Sequence, residues 1–143
     1  MIPTYNEAAN IGPLLAALDQ ALAGIDAEYV VVDDASKDGT ARLAAAASRR
    51  ARVVVRTGER GLATAVVRGV KESRGEFVAV MDADFQHPPA AVRALLDRAR
   101  EASWSFRRSA ECRDPRPFAL NFTELGEVSG YERSWLGKQF RLM

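Results

Sequence analysis

An α/β domain with a parallel sheet and helices on both faces is predicted by three observations in the 143-residue sequence. Short runs rich in β-branched residues alternate with longer segments of helical periodicity, strand then helix throughout. The strand runs are continuously apolar rather than alternating, which suits strands buried on both faces. Two of them stop at acids, Asp33 with Asp34 and Asp82 with Asp84, and ligands in this architecture bind beyond the carboxyl ends of the strands.

The elements follow in order. Met1 and Ile2 stand directly before the loop Pro3, Thr4, Tyr5, Asn6, Glu7, which leaves almost no first strand and points to a truncated start. From Asn10, the residues Ile11, Leu14, Leu15, Leu18, Leu22 and Ile25 recur at helical spacing. Asn10 is the expected cap, and Pro13 falls inside the first turn, where its missing N–H costs little. Glu28 to Val32 reads as a buried strand that stops at Asp33 and Asp34. Thr40 to Arg50 reads as an alanine-rich helix, Arg52 to Arg56 as a strand, and Leu62 to Ser73 as a further helix. Phe77 to Met81 repeats the buried-strand pattern and ends in Asp82 and Asp84, before Pro88 and Pro89 open a helix running to about Ala102.

Near Ser103 the composition breaks. Alanine and valine become rare, and Trp104, Trp135, phenylalanines and scattered arginines follow without helical or strand periodicity. Residues 1–102 therefore read as the domain, and 103–143 as a divergent tail without an assigned fold.

Bulk properties give no argument for nucleic acid or for a membrane span. Twenty basic against nineteen acidic side chains give a net charge of +1, so no global field calls for nucleic acid. No apolar run approaches the roughly 18–20 residues of a membrane span, and the start lacks a signal-peptide layout, so any membrane contact is expected to be peripheral. A single cysteine, Cys112, forms no internal disulfide, which favours a reducing, cytoplasmic setting. The patterns G-x-x-x-x-G-K-[ST] and G-x-G-x-x-G are both absent, and Lys37, Asp38, Gly39, Thr40 reads as a turn with a helix start. A kinase or a dinucleotide-binding dehydrogenase is disfavoured.

Asp82, Ala83, Asp84 puts two carboxylates on either side of one residue at a strand exit, where both can turn toward one point. Hard oxygen ligands suit Mg²⁺ or Mn²⁺, completed by water and diphosphate oxygens. Such an ion would neutralise the charge that builds on a departing nucleoside diphosphate. A bare D-x-D is equally at home capping a helix or closing a turn. Asp33 and Asp34 can accept hydrogen bonds from a base or ribose, but Asp-Asp-Ala-Ser is also ordinary turn chemistry. Arg60 and Gly61 can bring a cation and an open helix N-terminus to a diphosphate, although an exposed arginine is usually just surface. His87 is more often a bystander than a ligand at such a position.

In combination, three stretches resemble the family 2 glycosyltransferases. They are Ile2 to Glu7; Val31, Val32, Asp33, Asp34, Ala35, Ser36, Lys37, Asp38, Gly39, Thr40; and Met81, Asp82, Ala83, Asp84, Phe85, Gln86, His87, Pro88. The resemblance runs from Met1 to about Ala102. It implies the nucleotide-sugar fold called GT-A, a Rossmann-like parallel sheet, here incomplete. The Asp-Ala-Asp-Phe-Gln-His-Pro wording and Gly61 to Ala65 look most like the polyprenyl-phosphate branch, that of the dolichol-phosphate mannosyltransferases. Carried over by position, the resemblance implies Pro3, Tyr5, Glu7, Val32, Asp34 and Asp82 around the donor, with Asp82, Asp84 and Gln86 around the metal. Asp84 is the residue expected to carry catalysis.

The reaction so implied is metal-dependent, inverting transfer of mannose or another hexose, typically from GDP-mannose, to a dolichyl or other polyprenyl phosphate at the cytoplasmic membrane face. The family continues past the last helix with a strand, a Gly-Ser-Arg turn and basic residues that Ser103 to Met143 does not reproduce. Arg107, Arg108, Arg113 and Arg116 have nothing to place them at the active edge, and the segment reads as an altered reading frame or a fragment. An inactive nucleotide-sugar-binding module is therefore an alternative. A receiver-type signalling domain, which also carries aspartates at strand exits, lacks its expected late lysine and leaves Asp84 and Gln86 without a role.

Overall fold

The computed structural model describes residues 1–101 and 118–120. The elements run β1 (Ile2–Thr4), α1 (Ala8–Ala21), β2 (Tyr29–Asp33), α2 (Thr40–Ala47), β3 (Ala51–Val55), α3 (Leu62–Glu72), β4 (Phe77–Ala79), α4 (Ala90–Glu101) and β5 (Phe118–Leu120). The predicted alternation of strand and helix is present. Trp104, Arg107, Arg108, Cys112, Arg113, Arg116 and Trp135 lie outside the described residues.

Parallel pairing sets β1 beside β2, with Ile2 opposite Val31 and Thr4 opposite Asp33, and β2 beside β3, with Tyr29 opposite Ala51 and Asp33 opposite Val55. A first strand of only three residues thus still aligns its carboxyl end with that of β2. β4 pairs in parallel with β5, Phe77 opposite Phe118, so a strand lies within the segment for which the sequence offered no periodicity. Two backbone bonds stitch the two sheets together. The Met1 amino group donates to the Ala79 carbonyl at 2.5 Å, and the Met81 N–H donates to the Met1 carbonyl at 3.1 Å. The strands accordingly follow one another in the order β3, β2, β1, β4, β5.

β2 is buried along its whole length because it is internal and covered on both faces. Its alternating side chains divide the core. Tyr29 and Val31 join Ile11, Leu14, Leu15 and Leu18 of α1 and Ala44 of α2, while Val30 and Val32 point the other way, onto Ala65 of α3 and Val78 of β4. α1, α2 and α4 therefore cover one face and α3 the other. Ile11, Leu14 and Leu15 are wholly buried, each contributing about 1.5–3 kcal/mol of burial free energy.

α1 begins two residues before the expected cap. Asn10 lies inside the helix and donates through Nδ2 to Glu7 Oε2 at 2.9 Å. The Ala8 N–H is satisfied instead from a different loop, by Asp38 Oδ2 at 3.0 Å, a partner that local sequence does not reveal. Pro13 consequently falls beyond the first turn, where its missing N–H removes one helical hydrogen bond. The other boundaries coincide with those the patterns suggest or differ by one to four residues, the largest difference being at the end of α1, which closes at Ala21 rather than near Ile25.

Candidate functional site

The carboxyl ends of β1, β2 and β4 converge on one open cavity of about 370 Å³. It is lined by Pro3, Tyr5 and Glu7 from the β1–α1 loop, Asp34 after β2, Arg60, Gly61 and Leu62 at the start of α3, and Asp82 and Asp84 after β4. That volume lies in the range of small-ligand sites, which run from roughly 300 to 1,000 Å³. A larger cavity of about 520 Å³ opens at the opposite, amino end of the strands between α1 and α4. Neither Asp34, Asp82 nor Asp84 reaches it, and the smaller cavity is therefore the candidate site.

Loop–loop hydrogen bonds hold the β1–α1 side. Asp33 is fully buried and accepts from Thr4 Oγ1 at 3.0 Å, Ser36 Oγ at 2.6 Å and the Ser36 N–H at 2.9 Å. Ser36 Oγ in turn accepts the Asn6 N–H at 2.8 Å. Asp38 accepts from Thr40 Oγ1 at 2.6 Å and from the Ala8 N–H, and the hydrogen bond from Thr40 holds its carboxyl below the usual range. Thr40 Oγ1 accepts the Glu7 N–H at 2.9 Å. The Lys37-to-Thr40 segment is thus a turn and helix start, and it also fixes the backbone that presents Glu7.

Asp34 does not project freely into the cavity. Arg56, at the exit of β3, donates to Asp34 Oδ1 from Nε at 2.6 Å and approaches it with a terminal nitrogen at 2.5 Å. The Gly61 N–H donates to Asp34 Oδ2 at 2.9 Å. Arg56 also reaches the Gly61 carbonyl at 3.0 Å and Thr64 Oγ1 at 2.7 Å. Its side chain is 4 % exposed, so these bonds act away from water, where they are strongest. Gly61 precedes α3 with φ of 123°, a conformation open only to glycine, and delivers the helix N-terminus to the cavity.

The β4 side is different. Asp82 is half-buried and accepts no hydrogen bond among the described residues. Burial first, then the neighbouring Asp84 and Glu7, push its carboxyl above the usual range, while His87 opposes them. Asp84 is exposed and accepts the Gln86 N–H at 3.0 Å, a turn contact that occupies one of its oxygens. Phe85 follows with φ of 61°, and the other non-glycine residues at positive φ, Asn6 and Ala35, lie in the loops after β1 and β2. Among the described residues every such backbone therefore borders the cavity edge, where strain is commonly stored for function. Arg60 stacks on the exposed Tyr5 ring, 5.2 Å from its centroid.

Of the residues singled out from sequence, Pro3, Tyr5, Glu7, Asp34, Asp82 and Asp84 meet at this cavity. Val32 does not; it is wholly buried in the α3-facing core. The Gln86 side chain is not in the cavity wall, and only its backbone N–H is engaged there. Arg56 was overlooked. Its one sequence signal is that it closes an apolar strand run, where a buried arginine must find an acid.

Two carboxylates match a Mg²⁺ or Mn²⁺ site that keeps waters and phosphate oxygens as its other ligands. No group of three or more acids, histidines or cysteines among the described residues forms a self-sufficient metal cage.

A parallel sheet with helices on both faces and acidic side chains gathered beyond its carboxyl edge is an α/β architecture of the GT-A type. The chain belongs to glycosyl transferase family 2, whose family model matches residues 1–124. It is 45% identical over 105 residues to a dolichol-phosphate mannosyltransferase of Pyrococcus furiosus, covering 72% of this chain and 30% of that one. It is 42% identical over 105 residues to that of Mycosarcoma maydis, covering 67% and 36%. An undecaprenyl-phosphate 4-deoxy-4-formamido-L-arabinose transferase of Pseudomonas paraeruginosa is 36% identical over 107 residues, covering 71% and 32%. The chain spans about a third of the length of these relatives. No helix among the described residues is long and apolar enough to cross a membrane.

Proposed function

We propose that this chain forms the donor side of a hexosyltransferase that moves a sugar from a nucleoside diphosphate onto a polyprenyl phosphate such as dolichyl phosphate, with inversion and with Mg²⁺ or Mn²⁺. The observation that carries this reading is the convergence of Asp34, Glu7, Asp82 and Asp84 from separate strand exits on one cavity. The likeness to mannosyl and formamidoarabinosyl transferases supports a polyprenyl-phosphate acceptor, and the mannosyl relatives favour mannose as the sugar, with GDP-mannose the donor that the motif resemblance implies.

Asp34 and Glu7 accept hydrogen bonds from the nucleoside, with Tyr5 and Pro3 supplying its apolar wall. Asp82 and Asp84 hold the metal, which when bound neutralises charge on the departing diphosphate. The N-terminus of α3 and Arg60 add positive potential to the same space. No residue is needed to activate the acceptor, because a phosphate monoester with a second pKa near 6 is largely ionised at neutral pH. Contact with the acceptor is expected at the cytoplasmic face of a membrane, peripherally.

The test is transfer. The chain is incubated with Mn²⁺, GDP-mannose and dolichyl phosphate in detergent, and the lipid fraction is analysed by mass spectrometry. A mannosyl phospholipid from the wild type and none from Asp84→Ala is the expected result. Donor binding without any product would replace the enzyme with a nucleotide-sugar-binding module that does not turn over.

A further inference from the structure

Resting on the donor-site reading, we infer that Arg56 is a positioning residue for the nucleoside end of the cavity, acting through Asp34 and the first turn of α3. Arg56 is not in the cavity wall, and its side chain is 4 % exposed. A buried guanidinium needs an anion and further acceptors, and each of those partners is itself part of the site or adjacent to it. Asp34 Oδ1 takes the Nε bond at 2.6 Å, the Gly61 carbonyl takes one at 3.0 Å and Thr64 Oγ1 one at 2.7 Å. Thr64 Oγ1 also donates to the Gly61 carbonyl at 3.0 Å, and the Gly61 N–H returns to Asp34 Oδ2 at 2.9 Å.

The ring so formed ties three separate chain segments together at the cavity edge, namely the exit of β2, the exit of β3 and the start of α3. Its effect on Asp34 is specific. Oδ1 is committed to the guanidinium, and Oδ2 keeps lone-pair capacity beyond the single Gly61 bond, so the carboxylate meets a base or ribose donor through Oδ2 in one orientation. A lysine in place of Arg56 retains the charge but offers one point donor group, which does not span Asp34, Gly61 and Thr64 together. Asp82 and Asp84, on β4, share no hydrogen bond with this ring. The two ends of the cavity are therefore separable by mutation.

The experiment titrates Mn²⁺-loaded chain with GDP and, separately, with inorganic pyrophosphate, in the wild type, Arg56→Lys, Asp34→Ala and the double variant Asp34→Ala with Arg56→Met. Arg56→Lys is expected to weaken GDP binding by about tenfold or more while pyrophosphate affinity stays within about twofold. The double variant, which leaves no unpaired buried charge, is expected to bind GDP no worse than Asp34→Ala alone, since both act on one contact. Unchanged GDP affinity in Arg56→Lys overturns the inference, as does parallel loss of both ligands, which marks a merely structural role. Failure of the wild type to bind either ligand overturns the donor-site reading itself and takes this inference with it.

Discussion

At the scale of single residues, two aspartates beside strand exits, Asp33 and Asp82, do different work. Asp33 is a structural acceptor, fully buried with three donors aimed at it. Asp33→Ala leaves the Thr4 and Ser36 groups without their acceptor and is expected to cost about 1–3 kcal/mol in urea denaturation. Asp82 has the opposite character, since burial first and then the nearby acids raise its pKa. A carboxyl whose folded pKa is raised stabilises the fold in its protonated form, and that contribution is lost as pH rises from the ordinary carboxylate range through the raised value. Asp82→Asn should therefore raise the Tm of metal-free chain at pH 7, and the gain should shrink as pH falls below about 4, where both states protonate the wild-type carboxyl. Scanning calorimetry at the two pH values reads this directly, and a lower Tm at pH 7 for the variant would contradict it. The acids were legible in the sequence because a strand that stops at a carboxylate places it at the edge. Arg56 was not, since its burial depends on the turn through Gly58 and Gly61 returning α3 over it.

At the scale of elements, the loops after the strands are held in conformations that ordinary residues resist. Ala35, at φ of 53°, is a non-glycine residue in the left-handed region. Ala35→Gly is expected to raise stability by up to about 1 kcal/mol despite the added freedom of the unfolded chain, and a lower urea midpoint would refute the strain. Gly61→Ala should do the reverse. It forces φ away from 123°, moves the N–H bonded to Asp34, and should cost roughly 1–3 kcal/mol together with nucleotide affinity. Periodicity placed β2 to β4 and α1 to α4 within a few residues, but Pro3 and Thr4, read as loop, belong to β1. It missed the true start of α1, because the group that satisfies Ala8 is Asp38, thirty residues away. It also offered nothing for β5, whose three residues are too few to show a period and gain their place by pairing with β4.

At the scale of the molecule, parallel pairing brings the ends of β1, β2 and β4 to one edge, so acids far apart in sequence share a cavity of about 370 Å³. Strand exits made that meeting legible in advance; the contribution of Leu62 and Ala65 to the lining was not, since they reach it only once α3 is docked on β1 and β2. We propose that this edge binds a nucleoside diphosphate sugar through Asp34 at one end and a metal on Asp82 and Asp84 at the other. The most direct test of that claim is calorimetric titration of the 143-residue chain with GDP-mannose, UDP-glucose and GDP in Mn²⁺, then in EDTA, repeated on Asp82→Ala with Asp84→Ala. Binding that needs Mn²⁺ and disappears in the double variant is the result predicted, whereas a folded wild-type chain that binds none of the three, or binds equally well in EDTA, would contradict the claim.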